Sequence, residues 1–409
     1  MLNDIDEKKG FKHWIPAFVL MACVVLAFFD KISIAVLFSD PHFQDAMGIA
    51  EDKAKLGWLM TSFLLAYGFS SIFLSFLGDI FNPKKMLFWS VTSWGILMLI
   101  MGFTTHYGSM LFLRVLLGIA EGPLFALAYA IVKQTYTDRQ QARASTMFLL
   151  GTPIGAFLGF PITAAVLAKH DWHTTFFVMA ALTLVVMIII VLGLRNLQLR
   201  KIIEIEDSSK RVNFKGHIAN TKLLLKNRAF WLVCLFNIAL MTYLWGLNSW
   251  VPSYLIQDKG FNLKEFGFYS SLPFIAMLVG EVVGAVFSDK LGKRAIQVFS
   301  GLLVAGISLY VMVLMTDPLL IIAAMSLSSM AWGFGVAAVF ALLARVTTAD
   351  VGATAGGIFN GLANFASAAA PVLIGMIVMQ TGSFNLGITF LAVVAIVGSF
   401  FLTPLLKRY

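Results

Sequence analysis

Apolar residues in this chain fall into long runs rather than alternating with polar ones. Charged or Pro/Gly-marked breaks separate twelve runs: 14–38, 56–77, 85–104, 108–133, 143–168, 174–194, 229–256, 265–288, 294–315, 318–344, 351–380 and 385–406. A helix crosses hydrocarbon with roughly 20 residues, whereas a membrane β-strand needs about 9–11. The pattern therefore predicts an all-α membrane protein with twelve transmembrane helices. The longest internal break, 195–228, carries nine basic residues and the acidic patch Glu204, Glu206 and Asp207. It is expected to be a cytoplasmic linker between two six-helix bundles, 1–194 and 229–409.

Composition agrees with burial in lipid. Of the 409 residues 59% are hydrophobic and 12% charged, against about 25% charged in soluble domains, and the mean hydropathy is +0.86. The net charge of +9 could suggest a nucleic-acid partner, but its distribution does not. With a cytoplasmic start, Lys53, Lys55, Lys169, Lys259 and Lys264 fall outside and Lys31 and Arg114 within spans, leaving 23 of the 30 Lys and Arg on the cytoplasmic side. That asymmetry is the positive-inside rule. It predicts cytoplasmic termini and no nucleic acid. Cys23 and Cys234 both lie in spans, so no disulfide framework is expected. The polar N-terminus precedes a run too long for a signal-peptide core, which reads as a retained first helix.

The chemistry lies in charges placed where hydrocarbon disfavours them: Asp30, Lys31, Arg114 and Glu121. A charge at bilayer depth costs at least about 2.5–3.5 kcal/mol, and such groups usually mark substrate or proton paths. Arg114 and Glu121 are seven apart, two helical turns, and share a face of span four. Arg114 fits a structural charge network or a functional one; Glu121 fits a titrating proton carrier. Asp30 and Lys31 project about 100° apart, which gives Lys31 to a cavity and an anion, and Asp30 to spans four and five. Snorkelling of Lys31 is disfavoured by its depth in the run. Tyr243, Asn248, Asn360 and Asn364 must each bridge helices or meet a ligand. Glu281 suits a gate network or a second titrating site. The six His show no metal spacing and no phosphate loop is present. Gly151 and Gly155 read as close helix packing, and the many Met and Phe as core or lipid-facing filler.

An internal repeat supports two halves. Ser75-Phe-Leu-Gly-Asp79 runs on to Lys84-Lys85, and Ala285-Val-Phe-Ser-Asp289-Lys290 runs on to Lys293-Arg294. The two Asp, 210 residues apart, each follow the second span of a half. With these motifs the chain resembles the major facilitator superfamily, whose loop motif is Gly-x-x-x-Asp-Arg/Lys-x-Gly-Arg-Arg/Lys. The second copy is good; in the first, Ile80, Asn82 and Pro83 replace the usual Arg, Gly and Arg.

Within the superfamily it is similar to the anion:cation symporters, a family of sugar-acid/proton symporters and vesicular glutamate and sialic-acid carriers. The matching residues are Asp30-Lys31, Tyr67, Arg114-x-x-x-Gly118-x-x-Glu121-Gly122, Arg143, Gly151, Gly155, Pro161, Asp171-Trp172-x-x-x-Phe176, Trp250-x-Pro252-x-Tyr254-Leu255, Gly357-x-x-Asn360-x-x-x-Asn364, Pro371 and Gly375. The resemblance implies a proton-coupling acid at Glu121 and a substrate contact at Tyr67. It also implies a cytoplasmic gate motif at Asp79, Lys84, Asp289, Lys290 and Arg294. Lys31 stands where Arg is usual, a point charge in place of a bidentate fork. Thr152 stands where several sugar-acid members place Gln, and Ser71, Phe73, Leu74 and Ser75 replace a Gln and a Pro-Gly-Gly run. The pocket is expected to hydrogen-bond less than a hexonate site.

Together these features predict a monomeric secondary transporter in a bacterial inner membrane, symporting a small organic anion with protons by alternating access. Asp30 and Glu121 would carry protons. Lys31, Tyr67, Thr152, Tyr243, Asn248 and Asn360 would bind substrate, and Arg114 and Glu281 would complete the charge network. No cofactor beyond the proton is expected. An exporter or antiporter of an anionic metabolite is the rival. A sensor would append a cytoplasmic domain, and an enzyme would show a nucleophile–base or metal set; neither is visible.

Overall fold

A computed structural model of the protein describes residues 10–50, 52–74, 82–136, 138–195, 197, 222–291, 293–347 and 352–408. Among these it is helical, without strands. The helices of the first half are α1 (Ile15–Leu37), α2 (Pro41–Met47), α3 (Lys53–Phe73), α4 (Pro83–Gly102), α5 (Tyr107–Glu121), α6 (Leu124–Thr135), α7 (Asp138–Leu149), α8 (Gly151–Leu167) and α9 (Trp172–Leu194). Those of the second are α10 (Arg228–Ser253), α11 (Leu263–Tyr269), α12 (Leu272–Leu291), α13 (Arg294–Leu314), α14 (Pro318–Val346), α15 (Gly352–Ser367), α16 (Ala370–Thr381) and α17 (Phe384–Ser399). Most of the linker 195–228 lies outside the described residues.

Eleven stretches among the described residues are long and apolar enough to cross a membrane. Each overlaps an expected run. The remaining run, 56–77, corresponds to α3 and to residues beyond those described. Helix starts follow local chemistry: Asn82 accepts from the amides of Lys84 and Lys85 ahead of Pro83, and Asp317 from those of Leu319 and Leu320 ahead of Pro318. Proline there loses nothing, because the first helical amides have no partner inside the helix. At α9 the Thr174 amide and hydroxyl hold the capping Asp171 carboxyl below its usual range.

The sequence predicts single helices for spans four, five, eight and eleven; the structure breaks five at Leu150 and eight at Ser270–Ser271, and breaks four and eleven at prolines. α5 ends at Glu121, and α6 starts after Gly122-Pro123. Proline offers no N–H to the carbonyl four residues back. That carbonyl, on Ile119, accepts instead from the Ser70 hydroxyl at 2.6 Å, and the Ala120 carbonyl accepts from Ser90. In lipid such freed groups must find partners within the protein. Span eleven breaks in the same way ahead of Pro371, between α15 and α16.

Helices α1 to α9 pack chiefly on one another, as do α10 to α17. Between the halves, α3 lies against α15 and α16, α8 against α11 and α12, and α1 against α10. These contacts concentrate toward the end that carries α2. There Gly57 approaches the Pro371 carbonyl and Gly375 the Lys53 carbonyl too closely for a Cβ. The Val372 amide donates to Thr61 Oγ1 at 3.3 Å across the halves, and Phe38 meets Trp250 with ring centroids 5.7 Å apart. At the opposite end no helix pair from the two halves packs comparably among the described residues. The molecule is closed at the α2 end.

Gly57→Val should hold that end ajar. In a Cys23→Ala/Cys234→Ala background, Thr61→Cys should react several-fold faster with a water-soluble thiol reagent once Gly57→Val is added. An unchanged rate would show that the backbone contact does not close this end.

Candidate functional site

Close helix approach builds the site. Gly155 on α8 sits against the Val25 carbonyl of α1, and Gly118 on α5 against the Phe63 carbonyl of α3, with no room for a Cβ at either. Four helices are thereby drawn around the residues that follow: Asp30 and Lys31 on α1, Tyr67 on α3, Arg114 and Glu121 on α5. The break at Gly122-Pro123 places Glu121 on the last turn of α5.

All four charges are interior: Asp30, Lys31 and Arg114 are each 1% exposed and Glu121 0%. Lys31 Nζ lies 3.3 Å from Glu121 Oε2. The same ammonium stands 4.2 Å from the Tyr67 ring centroid and 4.9 Å from that of Phe28. Ring faces attract cations most where water is excluded. Arg114 donates from Nε to the Leu59 carbonyl at 3.0 Å and lies 4.4 Å over the Phe63 ring. Asp30 is within electrostatic reach of Glu121, Lys31 and Arg114, yet neither of its oxygens has a hydrogen-bond donor among the described residues. Two acids and two bases share one buried space, formally neutral as a set.

The geometry differs from the sequence expectation at Lys31. Its ammonium was expected to meet an open cavity; here Glu121, ninety residues away in the chain, holds it. A buried cation takes the nearest carboxylate because an unpaired charge in low dielectric is far costlier than a paired one. Sequence spacing places each group on a face of its own helix and does not reveal which helix it meets.

Other candidates divide. The Tyr243 hydroxyl bonds to Ser328, which in turn donates to the Ala305 carbonyl, so it is used within the second bundle. Asn248 is buried and has no hydrogen-bond partner among the described residues. Asn364 accepts from Trp245 Nε1 at 3.2 Å and donates to Asn360 Oδ1 at 3.0 Å; Asn360 is exposed. Thr152 is half-buried on α8. Glu281, half-buried on α12, stands apart from the four-charge cluster without an ion pair among the described residues. Of the gate motif, Asp79 lies outside the described residues, and Asp289 and Lys290 are described as helical backbone alone. Lys84 Nζ donates to the Arg195 carbonyl at 3.3 Å and Arg294 Nη1 to that of Ala341 at 3.2 Å.

Sequence reasoning took the Phe residues as filler and passed over Trp245. The structure sets Phe28 against Trp245 in a near-parallel stack, centroids 6.1 Å apart, joining the two halves beside Lys31. Phe125 closes on Phe28 edge-on at 6.5 Å. One signal was available: Phe28 and Lys31 are three apart, on the same helix face. An apolar cleft of about 230 Å3 lined by Gly280, Gly301, Leu327 and Phe334 lies within the second bundle and carries none of these groups.

Two helical bundles enclosing a small set of buried charges, with irregular backbone at the breaks of spans four and eleven, define a membrane transporter rather than an enzyme. The chain belongs to the major facilitator superfamily, whose family model matches residues 20–371 and again 264–409. It is 25% identical to the probable galactarate/D-glucarate transporter GudP of Bacillus subtilis (strain 168), over 98% of this chain and 94% of that one. It is also 25% identical to the probable sulfoacetate transporter SauU of Cupriavidus necator, over 95% and 93%. The fold matches a bacterial homologue of the human lysosomal transporter Spinster, in an inward-facing, unoccupied conformation, with a TM-score of 0.84 at 15% identity over 98% of both chains.

Lys31→Met should leave Glu121 buried and unpaired, lowering stability by about 3–5 kcal/mol. Adding Glu121→Gln should recover most of that loss. Thermal unfolding of the two single variants and the double variant in detergent measures it; additive losses would show that the two groups do not interact.

Proposed function

We propose that the protein carries a small organic anion across the membrane together with protons, by alternating access. The observation that carries this is the buried Lys31–Glu121 pair, 3.3 Å apart and beside the stacked rings where the two halves meet. While Glu121 is ionised it neutralises Lys31, and an arriving anion would make the set of four charges net negative in a low-dielectric space. A proton on Glu121 releases Lys31 for the anion and keeps the set neutral. Anion and proton are then taken up together or not at all. Asp30, whose oxygens lack donors among the described residues, is the second proton-binding group.

Relatives support the anion. GudP is named for a dicarboxylic sugar acid and SauU for a sulfonated carboxylate; their shared chemistry is negative charge rather than hydroxyl groups. Placing the termini in the cytoplasm follows from the basic excess of the cytoplasmic loops. On that orientation the closed α2 end faces outward and the structure is an inward-facing state. The reverse movement must part Gly57 from Pro371 and Phe38 from Trp250. An inner (plasma) membrane location fits the bacterial relatives.

In proteoliposomes, an inward proton gradient should drive accumulation of a carboxylate substrate by the native protein. Glu121→Gln should lose accumulation yet keep exchange of labelled for unlabelled substrate, since a permanently neutral side chain leaves Lys31 free but carries no proton. Intact gradient-driven accumulation in Glu121→Gln would remove Glu121 from the mechanism.

A further inference from the structure

We propose that the transported anion carries a planar apolar body, of the arylacetate or benzoate class, and that Phe28 and Trp245 grip it from opposite halves. This rests on the assignment of Lys31 as the anion's partner. Around that ammonium the structure supplies ring faces: Phe28, Phe63 and Tyr67 within 6.0 Å, with Trp245 stacked on Phe28. The uncharged hydrogen-bonding groups are few and mostly engaged. Tyr243 is held by Ser328, Trp245 Nε1 by Asn364, and Asn364 by Asn360. Asn248 on α10 is buried and has no hydrogen-bond partner among the described residues.

A polyhydroxy acid placed here would lose water from several hydroxyls and regain few bonds from the uncharged groups, which disfavours it. A flat ring has the opposite requirement. Its faces are satisfied by offset stacking and its carboxylate by one ammonium. A ring layered between Phe28 and Trp245 needs about 7 Å between their planes, two ordinary carbon contacts. The two rings now stack on each other, centroids 6.1 Å apart, so the halves must part at this contact to admit it. Because one ring belongs to α1 and the other to α10, the substrate itself would join the two halves on closing. Asn248, near Trp245 on the same helix, is placed to meet a single polar substituent.

Phenylacetate and gluconate, each a monoanion, separate the alternatives on the full-length protein. Half-saturating concentrations come from thermal shift and from uptake in proteoliposomes. Phenylacetate should be favoured by at least about ten-fold, in the range that a complementary apolar pocket gives. That preference should collapse in Trp245→Leu and return in Trp245→Phe. Phe28→Leu reads the same contact from the other half should Trp245→Leu fail to fold. Gluconate bound as tightly as phenylacetate, neither acid bound, or a preference untouched by Trp245→Leu and Phe28→Leu overturns the proposal. Gradient-driven gluconate uptake that needs Glu121 would sink the aromatic substrate while sparing proton coupling. Phenylacetate uptake insensitive to Glu121→Gln and to the gradient would do the reverse.

Discussion

A lysine ammonium and a glutamate carboxylate, both withdrawn from water, sit 3.3 Å apart where the two halves of the molecule meet. Taking either charge out of water alone is costly, and their mutual attraction offsets that cost only while both are present and close. Everything nearby serves that condition. Gly118 and Gly155 let α5 approach α3 and α8 approach α1, which fixes the two partners. The Arg114 guanidinium is held by a backbone carbonyl and a ring, so it supplies charge without competing for Glu121 at hydrogen-bond range. Asp30 balances it.

Such an arrangement is sensitive to any added charge. An interior that is neutral as a set resists a lone anion or a lone proton and tolerates the two together. The coupling proposed above needs no relay of side chains, only a shared cation with two competing negative partners. The broken helices add to this. Pro123 ends α5 at Glu121, and the carbonyls it frees are taken by Ser70 and Ser90 on neighbouring helices. Pro371 breaks the partner span beside the contact that seals one end. Both breaks lie on elements that the proposed alternating access would require to change their contacts.

Much of the fold was legible because a bilayer enforces long apolar runs, so span positions matched to within a few residues except where breaks intervened. The charges were legible for the same reason: Asp30, Lys31, Arg114 and Glu121 stand out against hydrocarbon. Partnership was not. Nothing in a periodicity of 3.6 residues says that Lys31 meets Glu121, because that contact is set by how whole helices pack. Nor does the sequence show that the Tyr243 hydroxyl meets Ser328 on another helix. Phe28 and Trp245 were hidden among 37 Phe and 9 Trp that a membrane protein uses for packing anyway. The polar segment 39–55 concealed a short helix, Pro41–Met47, capped by Asp40 and closed by Gly48 at φ 66°.

Proton uptake on substrate binding tests the shared-cation account most directly. Calorimetric titration of a transported carboxylate into the purified protein, repeated in buffers of different ionisation enthalpy, counts the protons taken up per anion bound. Near neutral pH the account predicts uptake of about one proton per monoanion in the native protein and none in Glu121→Gln, since neutrality of the buried set must be restored. Binding without proton uptake, or equal uptake in Glu121→Gln, would contradict it.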